Sequence, residues 1–442
     1  MILKNIKIEK VVFRGLGLGF DADGAIFVNS AYPGDILDLQ VFRQKKNTRF
    51  AEISKIVEAS PLRRQANCEV FGDCGGCDWL DINYSDQLAL KQEIVGEVFA
   101  QQGEINAIIG SAQTEHYRNK SFMPLARQAG EIRIGMFQKR SHFVVAHQNC
   151  QIQPQIFDQI ASEFMAYVKA SKIKIYDEKT GKGNLRHLGF RINNNQAQVL
   201  VILVTKNRKL PFSRQLVSTL TQKFPQISGI IQNINPEAGN VILGGSEKIL
   251  FGSEYLQDKI GEIEYRLHYR SFFQINHDTT EKLYNYLAQQ IEVSEVIIDA
   301  YCGVGTIGLY LAAKAAQIYG IESNAAAVSD AQYNQELNNL QNCQFQVGLV
   351  EDKLQEICQT QQIDSIIFDP PRKGLDAKII DILAQQKIAK IIYVSCNPMT
   401  QKRDLELLLK LGYQLESIQP FDMFPQTWHI ENVLVLRQDA DE

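Results

Sequence analysis

Cys396 ends the run Lys390-Ile391-Ile392-Tyr393-Val394-Ser395 and precedes Asn397-Pro398-Met399-Thr400. An apolar β-branched run that stops at a small polar cluster and leads into a helix-like segment reads as a parallel strand closed by a turn. Open α/β sheets hold their reactive groups at the carboxyl ends of such strands. A thiolate in that place is a nucleophile; the plain alternative is an inert, buried cysteine. A second group lies in Trp428-His429-Ile430-Glu431-Asn432-Val433, just before the closing strand. There Glu431 is the candidate base and His429 the next choice, against the plain reading of a strand-edge carboxylate.

A thiolate and a base in one pocket suit a demanding reaction. C5 of a pyrimidine is a poor nucleophile until a thiolate adds to C6 and makes an enolate. After alkylation a base must take the C5 proton, so that elimination frees the enzyme. The alkyl donor is suggested by Asp299-x-x-x-Gly303-x-Gly305, a glycine turn after the strand-like Val296-Ile297-Ile298-Asp299-Ala300. Glu322 follows about 20 positions later at the end of the next strand, where an acidic residue binds ribose hydroxyls. The third glycine of a dinucleotide fingerprint is displaced, falling where Ile307 and Gly308 sit, and Asp299 precedes the turn. A carboxylate there repels a pyrophosphate but suits a cationic sulfonium, so S-adenosylmethionine fits better than NAD. The proline turn Asp369-Pro370-Pro371-Arg372 strengthens this reading. Amine methylases place an aromatic residue after Pro-Pro; here Arg372 stands there.

Positioning these groups needs several domains. A chain of 442 residues exceeds one ordinary domain and suggests roughly two to four. Residues 1–57 read as short strands with glycine turns, a small OB-type barrel of a kind that binds single-stranded nucleic acid. Residues 1–66 carry 11 Lys and Arg against 7 Asp and Glu, and Arg43, Lys45, Lys46 and Arg49 form a basic edge. Residues 58–270 read as a central α+β domain with a helix over Asp86–Phe99. In it Arg118, Lys120, Arg186 and Arg191 are solvated cations that could meet phosphate. From residue 271 strand and helix alternate, the sign of a doubly wound sheet. The net charge of −4 excludes no partner class, and no run approaches the roughly 18 apolar residues of a membrane span. A secretory leader is not expected, so the chain is read as cytoplasmic.

Three of the eight cysteines, Cys68, Cys74 and Cys77, fall within ten residues. Gly75-Gly76 between the last two allows both sulfurs to face one centre. Cys150 is the candidate fourth ligand. Zinc and an iron–sulfur cluster both remain open on spacing.

Taken together these motifs resemble the RNA uracil-5 methyltransferase family, in particular the iron–sulfur-containing bacterial 23S rRNA (uracil-5-)-methyltransferases. The resemblance spans nearly the whole chain. It implies a multidomain α/β protein: an N-terminal TRAM-like OB barrel, a central α+β domain with an iron–sulfur site, and a C-terminal Rossmann-like methyltransferase domain. Cys68, Cys74, Cys77 and Cys150 are similar to the family's four-cysteine site, which implies a [4Fe-4S] cluster. Ser271-Phe272-Phe273-Gln274-Ile275-Asn276 looks like the family's donor-contacting segment, so Gln274 is implied as a ligand of S-adenosylmethionine. The same matching implies donor contacts from Tyr301, Thr306, Glu322 and Asp369, with Cys396 as nucleophile and Glu431 as base. Thr306 stands where several relatives have Asn, and Leu349 where relatives often have Asp, so Glu351 or Asp352 is the substitute acidic group. The expected activity is C5 methylation of a uridine in 23S rRNA by a monomer, with tRNA as the alternative substrate. RNA cytosine-5 methylation is the rival reaction; it calls for a cysteine in the strand-four turn, where Asp369-Pro370-Pro371-Arg372 has none. A non-catalytic iron–sulfur RNA-binding protein is the rival without chemistry.

Overall fold

The structure, a computed structural model, describes residues 1–171 and 173–438. The chain divides into two compact units. The first comprises Met1–Asn67, Cys77–Thr114 and Gln361–Glu442; the second comprises Cys68–Gly76 and Glu115–Thr360. In chain order the first unit opens with β1 (Ile2–Val12), β2 (Leu16–Asp21), β3 (Gly24–Asn29), β4 (Ile36–Lys45) and β5 (Thr48–Glu58). These strands close a barrel in the order β1-β2-β3-β5-β4. Alternation puts Ile6, Ile8, Ile26, Val28, Leu37, Leu39 and Ala51 in its core. The expected basic edge loses one member: Arg49 is buried and pairs with Asp21, leaving Arg43, Lys45 and Lys46 exposed. Helix α1 (Tyr84–Val98) follows, with Gln87, Leu90, Lys91, Ile94, Val95 and Val98 buried.

The second unit then supplies β6 (Lys120–Gln128), β7 (Glu131–Phe137), β8 (Val144–Ala146), α2 (Gln155–Ser171), β9 (Leu185–Ile192), β10 (Val199–Thr205), α3 (Ser213–Lys223), β11 (Ile227–Ile234) and β12 (Ser246–Gly252). They form one sheet in the order β12-β11-β10-β9-β6-β7-β8. Every residue of β9 and β10 is buried, and α2 lies over the sheet with Phe157 stacked on Phe190 at 4.7 Å. Arg186 and Arg191, expected at the surface, are buried with β9. Arg186 Nη1 donates to the Asn235 and Glu237 carbonyls at 2.8 and 2.6 Å, and Arg191 Nη1 to those of His268 and Ser271 at 2.7 and 2.8 Å. Neither is a solvated cation.

The hairpin β13 (Tyr255–Ile260) and β14 (Ile263–His268) and helix α4 (His277–Gln290) lead into β15 (Glu295–Ala300), α5 (Thr306–Leu311), β16 (Ala315–Glu322), α6 (Ala325–Leu337), β17 (Cys343–Val347) and α7 (Val350–Thr360). β15, β16 and β17 are parallel neighbours in that order. The chain then returns to the first unit with β18 (Ser365–Phe368), α8 (Ala377–Gln386), β19 (Lys390–Ser395), α9 (Pro398–Lys410), β20 (Tyr413–Phe421) and β21 (Glu431–Gln438). β18 and β19 are parallel, and β19, β21 and β20 are successive antiparallel neighbours. The alternating strand–helix pattern expected after residue 271 is therefore present, with β20 a strand the periodicity did not mark. No described helix is long and apolar enough to cross a membrane.

Candidate active site

Strand register gathers three reactive side chains at one end of the first unit's sheet. Phe368 of β18 lies opposite Tyr393 of β19, so Asp369 leaves the sheet beside Val394. Ser395 of β19 lies opposite Asn432 of β21. One residue further, the same antiparallel register sets Cys396 against Glu431. Beneath them Gln401 ties the two strands: its Nε2 donates to the Tyr393 carbonyl at 2.8 Å and the Asn432 carbonyl at 3.1 Å, and Asn432 Nδ2 donates to its Oε1 at 2.8 Å.

The turn after β19 is fixed by its own sequence. Asn397 caps α9 by accepting the Met399 N–H, and Pro398 takes the first helical position, where its missing N–H costs nothing. Asn397 Nδ2 and Thr400 Oγ1 both donate to the Arg372 carbonyl, at 3.0 and 3.2 Å. The Cys396 turn and the Asp369-Pro370-Pro371-Arg372 turn are thus joined, and the Arg372 guanidinium favours the Cys396 thiolate.

Burial dominates the electrostatics. It pushes the Cys396 thiol up to about 11; Glu431 and Asp369 add to the rise, and Arg372 opposes it. Burial raises Asp369 to about 7. Glu431 is raised well above the usual carboxylate range, first by burial and then by Asp369, with Arg372 again opposing. Two carboxyls and a thiol share one cation, an arrangement in which few of them ionise together. His429 instead packs tilted against Trp428 at 4.0 Å and sits edge-on to Phe424 at 5.7 Å.

The expected donor contacts Gln274, Tyr301, Thr306 and Glu322 lie in the second unit. Tyr301, Gly303 and Gly305 all have left-handed backbone, with φ of 64°, 55° and 80°. A Cβ placed on Gly303 would enter open space, so a ligand can approach the bare backbone there. Asp299 is buried and its Oδ2 accepts the Gly308 N–H at 2.8 Å, which braces the turn. Gly308 is needed for this: a Cβ there would stand 2.9 Å from that oxygen. Glu322 Oε1 accepts the Asn324 N–H at 2.7 Å at the start of α6. Thr306 accepts the Tyr284 hydroxyl at 2.8 Å. Gln274 is buried, and its carbonyl accepts Asn119 Nδ2 at 2.8 Å. This open glycine cradle beside an acidic strand end fits a nucleoside-bearing donor.

Cys68, Cys74 and Cys150 lie in the second unit and Cys77 in the first. All four are half-buried, and none is in a disulfide. Burial raises Cys74, with the Cys68 thiol adding to the rise; burial likewise lifts Cys150 to about 11, with Asp158 and Cys74 contributing. The Gly76 N–H lies on the Cys74 sulfur at 3.4 Å. The expected four-cysteine metal site is not assembled: among the described residues no three His, Cys, Asp or Glu side chains are gathered closely enough to hold a metal ion.

Arg372, Asn397 and Gln401 were not among the residues expected to serve the site. An Arg in place of the aromatic residue after Pro-Pro was the one sequence sign of the first.

Comparison with known proteins supplies the family. A family model described as tRNA (Uracil-5-)-methyltransferase matches residues 83–439. An uncharacterized RNA methyltransferase of Halalkalibacterium halodurans is 38% identical over 439 residues, covering 98% of this chain and 96% of the relative. One from Clostridium tetani is 34% identical, covering 99% and 97%. Among solved structures, the Pyrococcus abyssi tRNA (uracil-54, C5)-methyltransferase in complex with S-adenosyl-L-homocysteine is similar with a TM-score of 0.80 and 28% identity, covering 98% of this chain and 100% of that one. With its glycine cradle, its Cys396–Glu431 pairing across adjacent strands and these full-length matches, the chain belongs to the RNA uracil-5 methyltransferase family, enzymes that methylate RNA with S-adenosylmethionine.

Proposed function

We propose that this enzyme methylates C5 of a uridine in 23S rRNA through a covalent bond between Cys396 and C6 of the uracil. The observation that carries the mechanism is the register that sets Cys396 against Glu431, with the Arg372 charge favouring the thiolate. Bound S-adenosylmethionine supplies the electrophilic methyl group. Gln274, Tyr301, Thr306, Glu322 and Asp369 are its proposed ligands.

Cys396 loses its proton to water, and Arg372 steadies the thiolate. The sulfur adds to C6, the C5–C6 π electrons move onto C5 and O4, and C5 takes the methyl group. Once bonded to C6 the sulfur is neutral, so the charge of Arg372 is left to Glu431. That favours the Glu431 carboxylate when a base is needed, and its raised affinity makes it a competent one. Glu431 takes the C5 proton, the double bond re-forms, and the C6–sulfur bond breaks to release Cys396. The target uridine must leave its stack to reach the sulfur.

The resemblance to the iron–sulfur-containing 23S rRNA methyltransferases supports 23S rRNA as the substrate and a [4Fe-4S] cluster held by Cys68, Cys74, Cys77 and Cys150. Its proposed role is structural. Anaerobically purified protein then carries iron and labile sulfide in equal amounts, and protein with neither overturns the assignment. The chain is proposed to act as a cytoplasmic monomer. A tRNA substrate is the second reading, favoured by the Pyrococcus abyssi relative. Mass mapping of 23S rRNA and tRNA from a deletion strain separates the two: loss of one methyluridine from 23S rRNA supports the first, and loss from tRNA alone supports the second.

A further inference from the structure

Glu431 opens β21, and Phe421, its partner at the end of β20, precedes the connecting segment. Residues 422–430 therefore form a loop whose base holds the proposed catalytic carboxylate. That loop is gripped from α1. Gln87 and Lys91, four residues apart, lie one turn above the other and are both 0% exposed. Gln87 makes a reciprocal amide pair with Gln426. Its Nε2 donates to Gln426 Oε1 at 2.8 Å, and its Oε1 accepts the Gln426 N–H at 2.9 Å. The Gln426 carbonyl accepts the N–H groups of Asp78 and Trp79 at 2.9 and 3.1 Å. Lys91 Nζ donates to Asp422 Oδ1 at 2.5 Å and to the Phe424 carbonyl at 3.2 Å. Gln426 has φ of +67°, an unfavourable state for a side chain with a Cβ, and these bonds hold it there. Along the other side, Asp422 N–H donates to the Ile109 carbonyl at 2.9 Å.

We propose that Gln87 and Lys91 are positioning residues for Glu431: α1 clamps the 422–427 segment and thereby holds the carboxylate against the carbon it deprotonates. A buried Lys–Asp pair is a poor way to gain stability, since apolar replacements of similar volume are often as good. Its directional bonds, added to the paired amides of Gln87 and Gln426, define a backbone position that apolar packing does not. Loop position matters because a shift of about 1 Å at a reacting group costs up to about 100-fold in rate. The clamp rests on Glu431 acting as the base, and it concerns one step only. Formation of the Cys396 adduct depends on the 396 and 372 turns, which α1 does not hold by any of these bonds. Release of the methylated base depends on Glu431.

The test follows both steps in single turnover with the full protein, S-adenosylmethionine and substrate RNA. It uses Gln87→Leu and, as a second variant of preserved volume, Lys91→Met combined with Asp422→Leu. The expected result is adduct formation at the wild-type rate and release slowed about 10-fold or more, so that covalent protein–RNA complex accumulates on a denaturing gel. Release at the wild-type rate in a folded variant overturns the proposal, as does an equal slowing of both steps. Hydrogen exchange on the unaltered protein gives a readout that needs no variant. The amides of residues 422–431 are expected to exchange as slowly as those of β19, and exchange at exposed-loop rates overturns the clamp. A wild-type enzyme that never forms an adduct would instead remove the mechanism on which the clamp depends.

Discussion

Arg372→Gln isolates the one cation at the reactive sulfur. With a thiol at about 11, roughly one Cys396 in a thousand is ionised at pH 8, so adduct formation rises about tenfold per pH unit through the neutral range. The Arg372 charge lowers the Cys396 thiol, and a charged partner for a thiolate is worth about 1.5–3 kcal/mol, or about one to two units of acidity. Arg372 is exposed, so solvent screening places the loss at the lower end. The variant is expected to form adduct about tenfold more slowly at every pH below 9, along a line parallel to wild type and displaced by about one pH unit. Release is slowed as well, because Arg372 also favours the Glu431 carboxylate. The assay is rapid quench of protein–RNA adduct with excess enzyme, repeated across pH. A variant with the wild-type rate and pH profile refutes the role given to the guanidinium.

Lys91→Ala leaves Asp422 buried and uncompensated, and is expected to cost about 3–5 kcal/mol in urea unfolding, whereas Lys91→Met with Asp422→Leu is expected to come out near neutral. Asp369 is raised from 3.8 to about 7, so its folded form holds the proton more tightly than its unfolded form. Its contribution to stability is full below pH 3.8 and is lost as pH rises through about 7. Asp369→Asn is therefore expected to stabilise the protein by a few kcal/mol at pH 8 and by little at pH 4, measured as the difference in unfolding free energy at the two values.

The chemistry was more legible in the sequence than the geometry that serves it. Cys396, Glu431 and Asp369 stand at strand ends because each follows or opens a short apolar run, and that pattern is local. What each touches is set by register between distant strands, which no local pattern carries: Cys396 meets Glu431 only because β21 runs antiparallel beside β19. Arg49, Arg186 and Arg191 show the same limit. Each looks like a surface cation in the sequence, yet each is buried on carbonyls or a carboxylate supplied from elsewhere. The brace that Asp299 makes was equally hidden, because the Gly308 N–H it accepts lies on the next helix. The grip of α1 on the Glu431 loop was hidden entirely, since its partners lie more than 300 residues apart.

The covalent role of Cys396 is tested most directly by trapping the intermediate. Glu431→Gln, incubated with substrate RNA and S-adenosylmethionine and then digested with protease and nuclease, is expected to yield the Cys396 peptide carrying a methylated uridine nucleotide. Cys396→Ala under the same conditions is expected to yield neither adduct nor methylated RNA. Methylated uridine made by Cys396→Ala, or an adduct mapped to any other cysteine, would contradict the mechanism.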